Sequence, residues 1–281
     1  MPANPKFSFV SIKDPHDPRL AAYSSLKGKF LERDGIFIAE GEKVVKSMID
    51  SGCKIASCLT AGGAAAKYKT LLSEMAKSAV PAYIASDGII EDIIGFRFHK
   101  GIMAVGYCPK KLSISDALKK TKRPLFLAAL NAVNDPQNVG LIARSAAAFG
   151  VGSLIVDNAT YDPYYRKAVR VSMGAIFRLP VCYEEDLASS LKLLKEKYDT
   201  RIIAATLGVG AGDISEIKLT GNICFVFGNE DKGVSRSVLN IADAKVRIPI
   251  QKTVDSLNVA AAGAICLYEA SRQRRRKSGK R

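Results

Sequence analysis

The sequence predicts an α/β protein with a parallel sheet, and three observations lead to that prediction. The chain has 281 residues, 48% of them hydrophobic, which is enough to bury the core of one large domain or two ordinary ones. From Pro124 onward, short apolar segments alternate with segments of helical period, which is typical of parallel strands joined by helices. Before Pro109, helical patterns such as GEKVVKSMIDSG mix with apolar strands such as IASCLTA and GIMAVGY.

The boundary between these two patterns is polar and rich in lysine. We expect a smaller N-terminal α/β domain over residues 1–108, then a linker over 109–123 with one or two helical turns. The larger parallel-sheet domain is predicted over residues 124–271. Residues 272–281 are predicted to form a basic tail, because SRQRRRKSGKR holds seven Lys and Arg residues and no acid.

The charge of the chain indicates the kind of partner that it binds. A formal net charge of +15 and a pI near 9.5 favour polyanions, nucleic acid first and an acidic membrane surface second. The basic tail either contacts phosphates or is a solvated end of the chain.

Cysteine and histidine usage excludes several classes of site. The six cysteines include no CxxC pair, and His16 and His99 are the only histidines, so no metal set is predicted. A Ser-His-Asp or Cys-His apparatus is also disfavoured in the larger domain. Free thiols, no signal peptide and no apolar run of about 18 residues together predict a cytoplasmic protein that does not enter a membrane.

Polar loops that follow predicted strands are where a ligand is expected in an open α/β sheet. Four such loops are present, at residues 131–138, 207–213, 228–233 and 251–256. The second contains a GxGxG pattern after a strand, but Asp213 and the missing later acid argue against a dinucleotide fold and favour a flexible loop. Ser235 is expected to cap the helix SRSVLNIA, and Ser256 or Asp255 to cap the last helix.

The polar residues of the other loops form one candidate constellation. It comprises residues from three separated loops: Asn138, Arg144, Glu230, Ser256 and Asn258. Glu230 directly follows the apolar strand ICFVF, so it needs a partner, which is either a substrate or an arginine. This set is better suited to holding an anionic substrate than to hydrolysing one.

Three segments resemble, in order and at suitable spacing, the sequence motifs of the SpoU (TrmH-like) RNA 2′-O-ribose methyltransferases of the SPOUT superfamily. They are NDPQNVGLIARSAAAFG, FVFGNEDKGVS and VRIPIQKTVDSLNVAAAGAICLYEA. The match covers roughly residues 124–270, and the N-terminal part resembles the substrate-binding domain that often precedes this one. Lys100 replaces the family's glutamine in FRFHKGIMAVG, and Ala260 replaces a frequent second serine, so we interpret Ala260 as a packing residue.

The resemblance implies a trefoil-knotted fold, an exception to the rule that chains avoid threading loops. It implies S-adenosylmethionine as cofactor, RNA (ribosomal or transfer) as substrate, and a homodimer. By position, four residues are expected to bind the cofactor, largely through backbone groups: Thr206, Gly228, Ile248 and Leu257. The five polar residues of the constellation are then expected to be catalytic. The N-terminal domain favours ribosomal over transfer RNA.

Arg144 is usually given the role of the activating base in this family. A guanidinium with a pKa above about 12 does not accept a proton in its charged form. We therefore expect Arg144 to hold the adjacent phosphate and stabilise the developing alkoxide, with Asn138 and Glu230 orienting it. The alternative for Arg144 is a surface arginine paired with an acid. The alternatives for the whole protein are an RNA-binding module without catalysis and a knotted methyltransferase that acts on a base.

Overall fold

The computed structural model describes residues 9–24, 35–95, 97–119 and 121–277, and the chain divides into two compact units. Unit 1 comprises Met1–Pro109 and Tyr164–Phe177, and unit 2 comprises Lys110–Pro163 and Arg178–Arg281. Each unit is built on one β-sheet, and the predicted α/β class is confirmed.

Unit 1 contains a mixed five-stranded sheet in the order β1-β4-β3-β5-β2. Its strands are β1 (Phe9–Ser11), β2 (Ile36–Glu40), β3 (Ile55–Ala61), β4 (Ala82–Ala85) and β5 (Ile102–Tyr107). Its helices are α1 (Ala21–Ser24), α2 (Glu42–Asp50), α3 (Lys69–Lys77), α4 (Asp87–Ile94) and α7 (Arg166–Val171). Strand β5 pairs antiparallel with both β2 and β3, and the other pairs are parallel.

Unit 2 contains a seven-stranded, wholly parallel sheet in the order β10-β12-β9-β11-β6-β7-β8. Its strands are β6 (Phe126–Asn131), β7 (Ser153–Asp157), β8 (Val181–Glu184), β9 (Arg201–Ala205), β10 (Gly212–Asp213), β11 (Ile223–Gly228) and β12 (Ala244–Arg247). Its helices are α5 (Ile114–Lys119), α6 (Pro136–Phe149), α8 (Leu187–Tyr198), α9 (Arg236–Ile241) and α10 (Val259–Lys277).

The two central strands of this sheet are buried along their whole length. Every residue of β6 and of β11 is buried, because helices cover both faces of the sheet. This explains why LFLAAL and ICFVF are continuous apolar runs, whereas a half-exposed strand alternates polar and apolar residues. Since β11 lies between β6 and β9, the loops after these strands emerge together at the carboxyl edge.

The compact units differ from the predicted boundaries in three places. The segment predicted as a linker carries α5, whose Ile114, Ala117 and Leu118 are buried in the core of unit 2. The segment Tyr164–Phe177 groups with unit 1, since α7 packs on β2. Helix α10 continues to Lys277, so most of the predicted basic tail is helical, and residues 278–281 lie outside the described residues.

Within the described part of the chain, no helix has the length and apolarity needed to cross a membrane. All six cysteines are free thiols.

Candidate active site at the carboxyl edge of the parallel sheet

The loop after β6 is held in place by Asp157, the last residue of the neighbouring strand β7. The Asp157 carboxylate accepts hydrogen bonds from Asn131 Nδ2 at 2.8 Å and from the Ala132 backbone N–H at 3.0 Å. It also accepts from the Thr160 N–H and hydroxyl at 2.8 and 2.7 Å. These bonds hold Ala132 at a φ of +58°, a conformation that non-glycine residues rarely adopt, and thereby set the direction in which the chain enters α6.

The loop after β11 is tied to the loop after β6 by two asparagines. Asn229 Nδ2 donates to the Ala132 carbonyl at 2.8 Å, and Asn131 Oδ1 accepts from the Ser235 N–H at 2.7 Å. Gly228 packs so closely on the Gly233 and Val234 backbone that a Cβ there would clash with it. Ser235 is the N-cap residue of α9, as predicted, but its hydroxyl contacts Ser237 Oγ and makes no hydrogen bond to a backbone N–H of the helix.

A chain of three polar side chains joins the loop after β11, helix α6 and the start of helix α10. Asn138 Nδ2 donates to Glu230 Oε1 at 2.7 Å, and Asn138 Oδ1 accepts from Asn258 Nδ2 at 3.0 Å. Asn138 is only 4% exposed, so both ends of its amide need partners, and both have them. Three segments that are distant in sequence thus meet at one buried amide.

Glu230 has further partners in the loop that precedes α6. Its carboxylate accepts from the Asn134 and Asp135 backbone N–H groups, each at 3.3 Å. The partners of this carboxylate are therefore one side-chain amide and two backbone N–H groups, and no arginine of the described residues pairs with it.

Asn258 also begins the last helix. Its Oδ1 accepts from the Ala260 N–H at 2.9 Å and from the Ala261 N–H at 3.3 Å, which is an N-cap geometry. The prediction that Ser256 or Asp255 caps this helix is wrong, because α10 starts three residues after Ser256. Ala260 is 5% exposed, in agreement with its interpretation as a packing residue.

A pocket of about 450 Å³ opens beside this chain of side chains, within unit 2. Its walls come from the ends of β9, β11 and β12 and from the first turns of α10. The four residues predicted to bind a cofactor all line it: Thr206, Gly228, Ile248 and Leu257. Glu230, Ser256 and Asn258 line it as well, so the structure gathers seven of the nine predicted site residues around one cavity.

Several lining residues carry no signal that identifies them in the sequence. Ala262 and Cys266 line the pocket from α10, and Leu207, Val246 and Ile250 line it from the strand ends. They are apolar residues in apolar surroundings, which the sequence pattern assigns to the core. Burial raises the pKa of the Cys266 thiol to about 12, so the sulfur facing this cavity is a neutral thiol at physiological pH.

Arg144 is placed apart from the pocket. It lies on the exposed face of α6 with Gln137, Leu141 and Ala148, about a third of a turn from the Asn138 side. Neither Asn138 nor Glu230 hydrogen-bonds its guanidinium, and among the described residues it has no ion-pair partner. The expectation that these two residues orient Arg144 is therefore wrong for a single chain, and so is the alternative of an arginine paired with a surface acid.

No group of three or more His, Cys, Asp or Glu side chains in the described ranges is arranged to hold a metal ion. The polar groups that line the pocket are amide, carboxylate, hydroxyl and backbone groups, together with the basic side chains of Lys232 and Arg247.

Replacing Asn138 tests whether its amide holds these loops together. Asn138→Ala leaves Glu230 Oε1 and Asn258 Nδ2 without their partner, so we expect a loss of about 1–3 kcal/mol in the free energy of unfolding. Asn138→Asp places a second carboxylate beside Glu230, so at pH 7 the loss is expected to be larger, and to shrink as the pH falls and one carboxylate is protonated. Urea unfolding followed by circular dichroism between pH 5 and 8 measures both.

The matched control is Gln137→Ala, which changes the exposed neighbour of Asn138. It is expected to stay within about 0.5 kcal/mol of the unchanged protein. Equal stability of all three variants would refute the role given to Asn138.

Comparison with known proteins places this site in a family. Residues 125–268 match the model of the SpoU rRNA Methylase family. An uncharacterised tRNA/rRNA methyltransferase of Mycobacterium tuberculosis is 32% identical over 269 residues, 93% of this chain and 91% of that protein. The 23S rRNA (guanosine-2′-O-)-methyltransferase RlmB of Vibrio vulnificus is 36% identical over 179 residues, 63% of this chain and 71% of that protein.

Solved structures share the fold over nearly the whole chain. An AdoMet-bound rRNA methyltransferase from Sinorhizobium meliloti superposes with a TM-score of 0.81 at 24% identity, covering 94% of this chain and 98% of that one. The SpoU methyltransferase AviRb from Streptomyces viridochromogenes gives a TM-score of 0.79 at 23% identity, covering 94% and 99%. The predicted SPOUT fold is confirmed, and on its sequence motifs and its family match the chain belongs to the SpoU rRNA methylase family.

Proposed function

We propose that this protein transfers a methyl group from S-adenosylmethionine to the ribose 2′-hydroxyl of a structured RNA, ribosomal RNA in preference to transfer RNA. The observation that carries the proposal is the chain Glu230–Asn138–Asn258, which brings the three SpoU motifs together at the rim of one pocket. Relatives named as 23S rRNA guanosine-2′-O-methyltransferases support both the reaction and the class of RNA.

The pocket fits the proposed cofactor in size and in chemistry. Its volume of about 450 Å³ is within the range of about 300–1,000 Å³ that is usual for sites that bury a small ligand. Leu207, Phe227, Ile248 and Leu257 give it apolar walls, and the loop backbone around Gly228 supplies polar groups at its rim. When bound, S-adenosylmethionine supplies an electrophilic methyl group on a sulfonium centre.

Side chains of this protein are proposed to position the ribose 2′-hydroxyl and to stabilise the negative charge that develops on its oxygen. Glu230 and Asn258 are proposed to fix the ribose at the mouth of the pocket, since each has its geometry set by Asn138. Ser256 is exposed on the pocket wall and is proposed to donate to the ribose or to the cofactor. Holding the two reactants in line supplies about 7–11 kcal/mol of the barrier reduction in well-oriented systems.

Arg144 is proposed to grip the phosphate next to the target ribose and to stabilise the developing alkoxide through its N–H donors. A guanidinium group offers N–H donors and no acceptor, so the 2′-hydroxyl proton is proposed to pass to a phosphate oxygen or to water. Because Arg144 does not line the pocket of its own chain, we propose that it acts in the pocket of a second copy, within a homodimer.

An exposed apolar face on helix α10 supports this dimer. Helix α10 packs on α6, and its outer face presents Ile265 and Tyr268, which are 41% and 47% exposed. Tyr268 meets Phe149 of α6 edge to face, with ring centroids 5.7 Å apart. Large apolar side chains left uncovered on a surface helix are typical of a subunit interface.

The remaining partners and the location follow from charge and thiol chemistry. The net charge of +15 suits an RNA substrate, and six free cysteines, four of them buried, suit a reducing cytoplasm.

Labelled S-adenosylmethionine and unmodified RNA test the reaction directly. The protein is incubated with labelled cofactor and either ribosomal or transfer RNA transcripts, and the RNA is then hydrolysed completely in alkali. Because alkali cleaves through a free 2′-hydroxyl, methylation of the ribose protects its own linkage. We expect the label in alkali-resistant dinucleotides, and from ribosomal RNA.

Label in mononucleotides would instead indicate methylation of a base. Absence of label together with absence of cofactor binding would favour an RNA-binding module without catalysis.

Arg144→Lys keeps the positive charge but removes the planar fork of donors. We expect methyl transfer to fall by about 100-fold or more, because losing one preorganised donor to a developing oxyanion has an effect of this size. Calorimetry should show unchanged affinity for S-adenosylmethionine. Arg201→Lys, at the opposite edge of the sheet, is the control, and near-normal turnover of Arg144→Lys would contradict the role of Arg144.

Mixing two inactive variants tests whether Arg144 acts across the dimer. Arg144→Ala lacks the arginine, and Thr206→Phe fills the cofactor pocket, so neither should methylate RNA alone. After subunit exchange, a mixed dimer pairs one intact pocket with one intact Arg144, and we expect about a quarter of full activity for random pairing of symmetric subunits. No recovery, with exchange shown by mass spectrometry, would place Arg144 and its pocket in the same chain.

A further inference from the structure

A second cavity lies at the opposite edge of the parallel sheet. Its volume is about 520 Å³, and it is formed by the segment before β6, the turn from α6 into β7, the approach to β8 and the last turns of α10. These are the amino-terminal ends of the strands, whereas the proposed methylation site is at their carboxyl ends. The two cavities therefore open at opposite edges of the sheet, one beside the start of β6 and the other beside the end of β11.

The residues around this second cavity are basic and not acidic. Lys122, Arg178, Arg274 and Arg275 line it, and none of its lining residues is Asp or Glu. Thr121 and Ser271 add hydroxyl groups. Lys122 and Arg178 are exposed, and neither has an ion-pair partner among the described residues. We call these four basic residues the basal cluster.

Arg274 is built into the floor of this cavity. Its guanidinium donates to the carbonyl of Pro124 at 3.1 Å and of Leu125 at 2.9 Å, and also to the carbonyl of Gly221. It stacks over the Phe126 ring, with the guanidinium carbon 4.7 Å from the ring centroid. These contacts fix the end of α10 against the sheet, so this part of the predicted tail is an ordered element of unit 2.

The positive charge of Arg274 is not neutralised by a carboxylate in the described structure. Burial lowers its pKa to about 10, which still leaves it charged at neutral pH. Carbonyl oxygens accept from its two terminal NH₂ groups, while its Nε is buried without a hydrogen-bond partner in the described structure. The carbonyls are neutral groups and leave the net charge in place. Together with Lys122 and Arg178, it gives the cavity a local excess of positive charge that only an external anion compensates.

We propose that the basal cluster is a second RNA-binding site, which holds phosphates of the substrate RNA at the edge of the sheet opposite to the methylated ribose. Two exposed cations beside a fixed cation suit consecutive phosphates of a backbone better than a single small anion. The exposed Arg276 and Arg123 extend the same charge beyond the cavity. This inference rests on the proposed function, since it requires an RNA substrate, and it adds a requirement that the substrate be large enough to reach both edges of the sheet.

The test removes the two exposed cations and leaves Arg274 in place. Lys122→Ala/Arg178→Ala is compared with Lys192→Ala/Lys197→Ala, which removes the same charge from the exposed face of α8. Binding of an unmodified 23S ribosomal RNA transcript is measured by filter retention between about 0.05 and 0.3 M salt, over which the Debye length falls from about 14 to about 6 Å. Binding of S-adenosylmethionine and methyl transfer are measured in parallel.

We expect Lys122→Ala/Arg178→Ala to weaken RNA binding about tenfold and to make the dependence of log K on log salt shallower by about 1.5, as for two lost phosphate contacts. Cofactor affinity should not change, and the α8 control should bind RNA as the unchanged protein does. Equal effects of the two double variants would overturn the proposal, because net charge alone would then explain the loss. Unchanged RNA affinity with loss of binding to phosphatidylserine vesicles would overturn it in favour of a lipid surface.

The parallel assays separate this inference from the proposed function. If the unchanged protein methylates 23S RNA and Lys122→Ala/Arg178→Ala binds and methylates that RNA normally, only the proposal of a second site fails. If the unchanged protein transfers no methyl group, but Lys122→Ala/Arg178→Ala loses RNA affinity and the α8 control does not, the second site stands and the proposed reaction is contradicted.

Discussion

The amide of Asn138 joins the loop after β11 to helix α6 and to the start of helix α10, and the arrangement of the candidate site depends on it. One end donates to Glu230 at 2.7 Å and the other accepts from Asn258 at 3.0 Å, while the side chain itself is buried. An amide is suited to this position because it offers a donor and an acceptor at once, so it can join a carboxylate to the cap of a helix. A hydrocarbon side chain would leave a buried donor and acceptor unpaired, and a carboxylate would repel Glu230.

Asn138 can join these loops only because the order of strands in the sheet brings them to the same edge. Because β11 lies between β6 and β9, and β12 lies beyond β9, the loops that follow them leave the same edge of the sheet. The hydrogen bonds of Asp157 and Asn229 then fix how the first two loops leave their strands. The pocket is the space left between these loops and α10. The basal cluster lies at the opposite edge of the same sheet. Only a large substrate therefore reaches both the pocket and the basal cluster.

Much of the fold could be predicted from the sequence, and for clear physical reasons. Continuous apolar runs such as ICFVF identified buried parallel strands, and polar residues directly after them identified the edge at which a ligand binds. The grouping of Thr206, Gly228, Ile248 and Leu257 around one pocket agrees with the positions carried over from the family resemblance. Their assignment to a cofactor stays a prediction.

Other features could not be read from the sequence, because they depend on tertiary contacts. The start of α10 was assigned to Ser256 or Asp255 by local capping preference, but Asn258 takes that place, since its side chain also reaches Asn138. Arg144 was expected beside Asn138 and Glu230 because all three belong to the motifs, yet six residues along a helix place it on another face. The polar stretch before Pro124 looked like a linker, but three apolar side chains of α5 anchor it in the core of unit 2.

The most direct test of this account is a double-mutant cycle between the two ends of the junction. Glu230→Ala, Asn258→Ala and the double variant are compared with the unchanged protein in urea unfolding. If Asn138 couples the loops, the two losses of unfolding free energy should be non-additive by about 0.5–3 kcal/mol, although Glu230 and Asn258 share no hydrogen bond. Losses that add to within about 0.5 kcal/mol would contradict the account, because the loops would then be held in place independently of one another.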